Sequence, residues 1–225
     1  MFAQDVRQQS IDSAAVRYLQ NADRQSTLYY GNEQDVLPHT IALASSTHNH
    51  HPYMKDMLYT KARLSYNGVI YPEALLRLDL SRDELITISL GFRNIVLFPE
   101  NVDFVELHGK RIIYFSRDSL PGCPSSGYYF LLHSGKCRVL EKQTAALMFN
   151  SSTGETYYVF STRFYLYKDS VYYSIKNQRG LLKALSPYKK ELKRFISANN
   201  LLYRENAEEF IPRTVREYEN LTGMQ

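Results

Sequence analysis

Apolar and polar residues alternate with a period of two through most of the stretch from Met57 to Lys142. In the segment 58–66, for example, Ala62 and Leu64 fall on one side of an extended chain and the charged side chains fall on the other. Such alternation is typical of β-strands that bury one face. The pattern predicts about eight or nine short antiparallel strands, as in a sandwich, a barrel or a strongly coiled sheet.

Short polar sequences between these runs predict hairpin turns. Asn67-Gly68, His108-Gly109 and Ser134-Gly135 each separate two strand-like runs, and tight hairpin turns favour residues that accept a positive φ. Pro72 is expected at a strand end or on an edge, because proline cannot donate a ladder hydrogen bond. No strand is followed by a glycine-rich loop and a helix, which disfavours a nucleotide-binding α/β fold.

The flanking segments have different patterns. Residues 10–21 have helical apolar spacing, and residues 32–56 are polar and irregular, which predicts a long loop packed over the sheet. Residues 151–154 are predicted to form a flexible connector. A β-hairpin and C-terminal amphipathic helices are predicted to follow it.

The predicted fold class is therefore α+β. We expect a mainly antiparallel β-sheet, a meander of hairpins that forms a sandwich or a partly closed barrel, with an N-terminal helix and C-terminal helices. The predicted units are residues 1–56, residues 57–149 and residues 150–225, of which the last two are expected to form one compact unit.

Composition and charge narrow the choice of protein class. The chain has 225 residues, and its hydrophobic fraction of 44% excludes global disorder. No apolar run approaches the length of about 18 residues that a membrane helix needs, so no transmembrane segment is predicted. The formal net charge is only +4, and the excess lies in residues 168–225. Nucleic acid is therefore an unlikely partner, because clustering of basic residues on one face matters more than a small surplus.

Tyrosine and basic residues supply the candidate partner surface. The chain has 19 tyrosines and no tryptophan, and tyrosine suits both half-buried sheet faces and binding surfaces. A predicted amphipathic helix turns basic side chains outward, a pattern that also fits a solvated face. The candidate residues are Tyr157, Tyr158, Tyr165, Tyr167, Lys189, Lys190, Lys193 and Arg194.

Two other groups of residues are candidates for metal binding or for thiol chemistry. His48, His50 and His51 form the one histidine cluster with metal-ligand character, although they lack the helical spacing of a zinc-protease motif. Cys123 and Cys137 are the two cysteines, and both a disulfide and two separate thiols are open alternatives. No cofactor is predicted, and the chain has no phosphate-binding glycine-rich loop. The absence of a G-x-S-x-G motif leaves nucleophilic catalysis without support from the sequence.

The order of several turn and strand-edge motifs resembles a known family. The motifs include Leu28-Tyr29-Tyr30-Gly31, His51-Pro52-Tyr53, the segment 66–71 (YNGVIY) and Gly127-Tyr128-Tyr129. Together they resemble a group of uncharacterised exported proteins from Bacteroidetes-type bacteria. The resemblance implies export to the periplasm or cell envelope, or secretion, but it supplies no activity and no site residue. Residues 1–4 are too short for a signal peptide, so the expected location depends on the resemblance alone.

These observations favour one function over two alternatives. We expect a non-catalytic cell-envelope or periplasmic protein that binds an unknown protein, glycan or lipid partner. The first alternative is a carrier that holds a small apolar ligand inside a curved sheet. The second is a metal-dependent hydrolase with a site on the histidine-rich loop.

Overall fold

The structure, a computed structural model, describes residues 32–33, 51–55, 57–88 and 94–223. It is an α+β protein built mainly from one antiparallel β-sheet with C-terminal helices, as the alternation predicts. The predicted N-terminal helix and most of the predicted loop at 32–56 lie outside the described residues.

The strands form a single sheet in the order β1-β5-β4-β3-β2-β6-β7-β8-β9-β10-β11, and each paired neighbour is antiparallel. The strands are β1 Asn32–Glu33, β2 Thr60–Tyr66, β3 Val69–Asp79, β4 Glu84–Ile88, β5 Asn94–Val96, β6 Val102–Leu107, β7 Lys110–Phe115, β8 Gly127–Ser134, β9 Arg138–Asn150, β10 Glu155–Lys168 and β11 Val171–Ile175. A 3₁₀ turn at Pro99–Asn101 precedes β6. Within the described residues the sheet is not closed, because β1 and β11 form its two edges.

The predicted hairpin turns are confirmed by the backbone. Asn67 and Gly68 have φ values of 52° and 73°, and His108 and Gly109 have 51° and 75°. Two successive positive φ values fit the type I′ turn, whose twist matches that of the strands it joins. The turn after Ser134 joins β8 to β9 as predicted.

The expected position of Pro72 is wrong. Pro72 lies inside β3, which runs without interruption from Val69 to Asp79. Ala62 pairs with Ala74 whereas Leu64 pairs with Tyr71, so β3 has one residue more than β2 at this point. A β-bulge leaves one residue out of the ladder, and proline is tolerated there because its missing N–H is not needed.

The sheet is strongly coiled. The backbone N–H of Ala145 in β9 donates to the carbonyl of Leu80, directly after β3, at 3.0 Å. Five inter-strand steps separate β3 from β9 in the sheet order, which corresponds to about 24 Å in a flat sheet. The sheet must therefore bend until β3 and β9 meet.

The three largest apolar clusters among the described residues lie on the two faces of the sheet. The inner side of the bend holds a cluster from β2 to β8 that includes Leu64, Tyr66 and Phe130. On the same face, helices α1 Gln178–Ala184, α2 Lys189–Ala198 and α3 Ala207–Thr222 pack over β9 to β11. The opposite face has a smaller cluster around Tyr129, against which Leu120 and Cys123 pack.

Candidate functional site

The most unusual part of the described structure is the β9–β10 ribbon, which we define as residues 142–163. β9 pairs with β8 only as far as Glu141, and β10 pairs with β11 only from Phe164 onward. Between these limits the two strands pair only with each other in the described part of the chain. The predicted connector at residues 151–154 is the turn of this ribbon. The sheet therefore continues across residue 149, the predicted boundary between the central and the C-terminal unit.

The turn of the ribbon has local hydrogen bonds that explain its position. The N–H of Gly154 donates to the carbonyl of Asn150 at 2.8 Å, and the N–H of Ser152 donates to Oδ1 of the same asparagine at 3.0 Å. Gly154 has a φ of 72°, which glycine adopts without strain. Sequence alone indicated flexibility here, whereas these contacts form a closed reversal.

Large apolar side chains are exposed on both faces of the ribbon. The pairs Val159–Ala146 and Tyr157–Met148 lie on one face, and the pairs Phe160–Ala145, Tyr158–Leu147 and Thr156–Phe149 lie on the other. The exposed members are Leu147, Met148, Phe149, Tyr157, Val159 and Phe160, with exposed fractions from 37% to 65%. Scattered exposed apolar residues are ordinary, whereas these six lie in two paired runs, residues 147–149 and 157–160.

The base of the ribbon is firmly attached to the core. Tyr158 and Ala145 are buried in the cluster of β2 to β8, and the Ala145 N–H bonds to Leu80 as described above. The hydroxyls of Thr144 and Ser161 lie 2.8 Å apart across the two strands. The ribbon is therefore a fixed projection whose apolar residues lie next to an anchored segment.

A partly buried ion pair adds to this attachment. The ammonium of Lys142 lies 2.6 Å from the Asp83 carboxylate and donates to the Tyr128 carbonyl at 3.0 Å. Burial lowers the pKa of Lys142, while the adjacent Asp83 opposes that shift. Gly127 leaves room for the pair, because a Cβ at this position would lie 2.0 Å from the Asp83 carboxylate.

The four candidate tyrosines have different environments. Tyr157 is exposed on the ribbon, whereas its neighbour Tyr158 is 1% exposed and belongs to the core. Tyr165 and Tyr167 are half-buried at the opposite face, where their rings pack against Tyr129 and Tyr172 at centroid distances of 6.0 and 4.8 Å. Of the four, Tyr157 alone belongs to the exposed apolar surface of the ribbon.

The four candidate basic residues lie on α2. All four are exposed, and the same helix buries Leu192 and Ile196 against the sheet. The structure brings these residues together as one face: Lys189, Lys190, Lys193 and Arg194. Their contact with an acidic partner or lipid headgroup stays a prediction.

The predicted metal site cannot be assembled from the described residues. His48 and His50 lie outside them, and the His51 ring stacks on Tyr53 at a centroid distance of 5.9 Å. In the described ranges no group of three or more histidine, cysteine, aspartate and glutamate side chains has the geometry of a metal site. The histidine site stays a prediction.

Both cysteines are free thiols in the structure. Cys123 packs at the edge of the cluster around Tyr129, whereas Cys137 is buried under the helices on the other face. Burial raises the pKa of the Cys123 thiol, and burial together with the nearby Glu219 raises the pKa of Cys137 to about 11. Raised pKa values disfavour the thiolate, which is the nucleophilic form.

A carboxylate holds the last helix against the β8–β9 turn. Glu219 of α3 is buried, and it accepts a hydrogen bond from the Cys137 N–H at 2.7 Å. Its other oxygen lies 2.8 Å from Nε2 of His133. Each group is satisfied by its neighbours, which indicates that this cluster fastens the helix to the sheet.

The carrier alternative requires space at the inner side of the bend. That region contains fully buried large side chains, among them Tyr66, Tyr158 and Phe130. The clefts among the described residues include one of about 290 Å³ beside Lys110 and Glu208, and another of about 480 Å³ beside Gln178 and Leu202. Both are surface grooves and lie away from the ribbon.

Comparison with protein-family models, curated proteins and solved structures finds no match. In the described residues, no helix has both the length and the apolar character required to cross a membrane.

Proposed function

We propose that this chain is a non-catalytic interaction protein of the cell envelope or periplasm, and that it binds a protein partner through the β9–β10 ribbon. The observation that carries the proposal is the group of six exposed apolar residues on both faces of the ribbon. Their exposure to water is costly, at about 25 cal/mol for each Å² of apolar surface, and a partner that covers them recovers this free energy.

In the described part of the chain, residues 146–150 of β9 pair with no strand except β10, which favours a protein over a glycan or a lipid. A strand edge presents unpaired N–H and C=O groups, and an extended segment of another protein can pair with them while its side chains meet the apolar faces. A lipid or a glycan offers no such ladder. The location in the envelope depends on the resemblance of the turn motifs to exported proteins.

Site-specific photo-crosslinking in cells that make the protein tests this proposal. A photoreactive phenylalanine analogue replaces Phe149 or Phe160 on the ribbon, and the same analogue replaces Leu202 as the control, because Leu202 is exposed at 55% far from the ribbon. We expect discrete protein adducts from both ribbon positions and none from the control. Equal labelling at all three positions, or no adduct from the ribbon, contradicts the proposal. Fractionation of the same cells tests the location.

A further inference from the structure

We infer that one face of α2 binds the anionic headgroups of a phospholipid membrane, and that Leu202 beside it enters the boundary between headgroups and acyl chains. We call this the basic face of α2, and it consists of Lys189, Lys190, Lys193 and Arg194. The inference goes beyond the proposed function, because it concerns a second surface and does not depend on the ribbon. It follows from the number of unpaired cations, from their positions on the helix and from the side chains beside them.

Positive charge is concentrated in the helical part of the chain. Residues 176–204 contain eight lysines and arginines and a single glutamate. The net charge of the whole chain is only +4, so the remaining residues together are negative. All eight basic residues are exposed: Lys176, Arg179, Lys183, Lys189, Lys190, Lys193, Arg194 and Arg204.

These eight side chains have no ionic partner within the described residues. Elsewhere in the described chain seven lysines and arginines do form ion pairs. Lys110 with Glu208 at 2.7 Å and Arg213 with Glu209 at 2.9 Å are examples close in sequence to the basic segment. The cations of residues 176–204 are therefore available to a negatively charged partner.

The positions of the four residues on α2 are unfavourable for the helix itself. Lys189 and Lys193 are four residues apart, as are Lys190 and Arg194, and like charges at this spacing destabilise a helix. Lys189 and Lys190 also begin the helix, where its dipole disfavours cations, while its last turn has no basic residue. An arrangement that costs stability and gains nothing within the chain is expected at a functional surface.

The same four residues cover one continuous side of α2. Successive residues of an α-helix are rotated by about 100°, so the four occupy an arc of about 140°. Glu191 lies outside this arc. Leu192 and Ile196 fix the other side of the helix among the buried residues of the adjacent core. An anchored helix that turns four cations outward on one side can bring them together against a flat anionic surface.

The aromatic rings near α2 do not favour nucleic acid as the partner. Single-stranded nucleic acid is bound by exposed aromatic rings on which the bases stack. Tyr188 instead packs edge-on against Tyr218 at a centroid distance of 5.9 Å, and Tyr203 packs against Phe210 at 5.6 Å. The Tyr203 hydroxyl also donates to the Ile175 carbonyl at 3.2 Å. These rings belong to the packing of the helices and do not form a platform for bases.

An exposed leucine beside two arginines favours a membrane. Leu202 is 55% exposed and lines a groove of about 480 Å³ together with Arg179 and Arg204. The Leu201 N–H donates to the Ile196 carbonyl at 3.1 Å, which places this groove at the C-terminal end of α2. An apolar side chain next to basic ones is typical of surfaces that lie at the boundary of headgroups and acyl chains.

The choice of lysine disfavours an acidic protein. Three of the four residues on the basic face are lysines, and lysine is depleted in protein–protein interfaces, where arginine is enriched. The lysine ammonium is a strongly hydrated point charge. It can attract mobile anionic headgroups without the fixed geometry that a protein carboxylate requires.

Sedimentation of the purified protein with lipid vesicles tests the inference. We expect the protein to sediment with vesicles of equal parts phosphatidylglycerol and phosphatidylcholine, and to stay in solution with phosphatidylcholine alone. An increase in salt from about 0.1 M to about 1 M shortens the screening length from about 10 Å to about 3 Å. The higher salt concentration should therefore release most of the bound protein.

The double variant Lys190→Gln with Arg194→Gln removes two charges from the basic face. Each basic residue near an anionic membrane changes the affinity about fivefold, so this variant should bind about 25-fold more weakly. Its unfolding temperature should equal or exceed that of the wild type, because a repulsive pair is lost. Lys189→Gln with Lys193→Gln should give the same two results. Circular dichroism verifies the fold of each variant.

Arg117→Gln with Arg138→Gln is the matched control, because it removes the same charge from two other exposed residues. Arg138 alternates in sequence with Cys137 and Val139, which face the helices, so its side chain lies on the opposite face of the sheet. Arg117 belongs to the segment before β8 that packs on that opposite face. The control should bind anionic vesicles nearly as tightly as the wild type.

Fluorescence tests the orientation independently. The chain has no tryptophan, so Leu202→Trp introduces a single reporter. Its emission should shift to shorter wavelength with anionic vesicles, because the indole enters the interface, and should not change with neutral vesicles. Phe149→Trp on the ribbon is the control position and should show no shift with either kind of vesicle.

Several outcomes would overturn the inference. They are equal binding to neutral and anionic vesicles, an equal loss of binding in the α2 and control variants, and an unchanged emission at residue 202 on bound vesicles. Binding to a single-stranded oligonucleotide or to polyglutamate, without binding to anionic vesicles, would also overturn it and would assign the basic face to nucleic acid or to an acidic protein. None of these results changes the ribbon crosslinks at Phe149 and Phe160, so this inference and the proposed function can fail separately.

Discussion

The ammonium of Lys142 lies 2.6 Å from the carboxylate of Asp83, although 59 residues separate the two in the chain. Asp83 belongs to the turn between β3 and β4, and Lys142 lies where the β9–β10 ribbon leaves the sheet. The pair thus joins the bend of the sheet to the base of the proposed interaction surface. The Tyr128 N–H also donates to this carboxylate, at 3.2 Å, so one side chain connects the β3–β4 turn to β8 and β9.

Replacement of Asp83 by asparagine should lower the free energy of unfolding by about 1–3 kcal/mol, because it leaves a buried ammonium without its counter-charge. The lower part of the range applies if water reaches the pair, since the Asp83 side chain is 31% exposed. Urea unfolding gives the value. The exposed pair Lys61–Glu73 is the control, and Glu73→Gln should change stability by less than about 0.5 kcal/mol.

The same variant should change how stability depends on pH. Burial lowers the pKa of Lys142 and Asp83 opposes that shift, so loss of the carboxylate lowers the pKa further. Between this lowered pKa and the ordinary value of 10.5 the unfolded chain holds a proton that the folded protein has released. The wild type shares part of this dependence, so stability of the variant relative to wild type should rise with pH between the Lys142 pKa of the variant and the higher pKa of the wild type. A difference that is flat or falls with pH contradicts the proposed role of Asp83.

Gly127 is a position where any side chain should be destabilising. An added Cβ lies 2.0 Å from Oδ2 of Asp83 and 2.6 Å from Nζ of Lys142, and φ is 147°. We expect Gly127→Ala to cost about 2–4 kcal/mol, since the ion pair must separate and the backbone is strained. Gly68→Ala is the matched control, because its φ is also positive but the surrounding space is empty, and it should cost about 1 kcal/mol. Equal costs for both variants would show that the crowding at Gly127 has no effect.

The sequence predicts the sheet better than it predicts the ribbon, for a physical reason. Alternation is visible in β2 because one face is buried and the other is wet, and the turn at Asn67-Gly68 needs residues that accept positive φ. In residues 145–149 (AALMF) and 157–160 (YYVF) both faces are apolar, so alternation disappears. These two unbroken apolar runs, placed symmetrically about Ser151–Gly154, were the signal for the ribbon.

Contacts between residues far apart in the chain cannot be predicted from local sequence patterns. The contact of Asp83 with Lys142 depends on the bend of the sheet, and no spacing rule connects residues in separate hairpins. The start of α3 shows the contrasting case, because the Asn206 side chain accepts from the Glu209 N–H at 3.0 Å, which is the contact that asparagine makes at a helix N-cap. Local motifs are determined by neighbouring residues, whereas the bend and the ribbon depend on packing of the whole chain.

The two cysteines should differ sharply in reactivity. Cys137 is 1% exposed with a pKa of about 11, while Cys123 is half-buried with a pKa raised by burial. A thiol reagent should therefore label Cys123 in the native protein and reach Cys137 only after unfolding. Between pH values of about 9 and about 11 the Cys137 thiol has lost its proton in the unfolded chain but keeps it in the folded protein. The free energy of unfolding should therefore decrease as pH rises through this range. Equal labelling rates in the native state would contradict this burial.

Tyr157 and Tyr158 are adjacent in β10, but we expect Tyr158 to affect stability and Tyr157 to affect binding. Tyr158 is 1% exposed in the core, and Tyr158→Ala should cost about 3–5 kcal/mol because it removes a buried ring. Tyr157 is exposed on the other face of the same strand, so Tyr157→Ala should change the free energy of unfolding by less than about 1 kcal/mol. The exposed residue should instead affect association, since its ring lies on the surface that a partner covers. We expect the Tyr157 variant to fold normally and to give weaker ribbon crosslinks than wild type, with thermal unfolding and crosslink yield measured on the same samples. A large loss of stability in the Tyr157 variant with unchanged crosslinking would assign this residue to the core and remove it from the interaction surface.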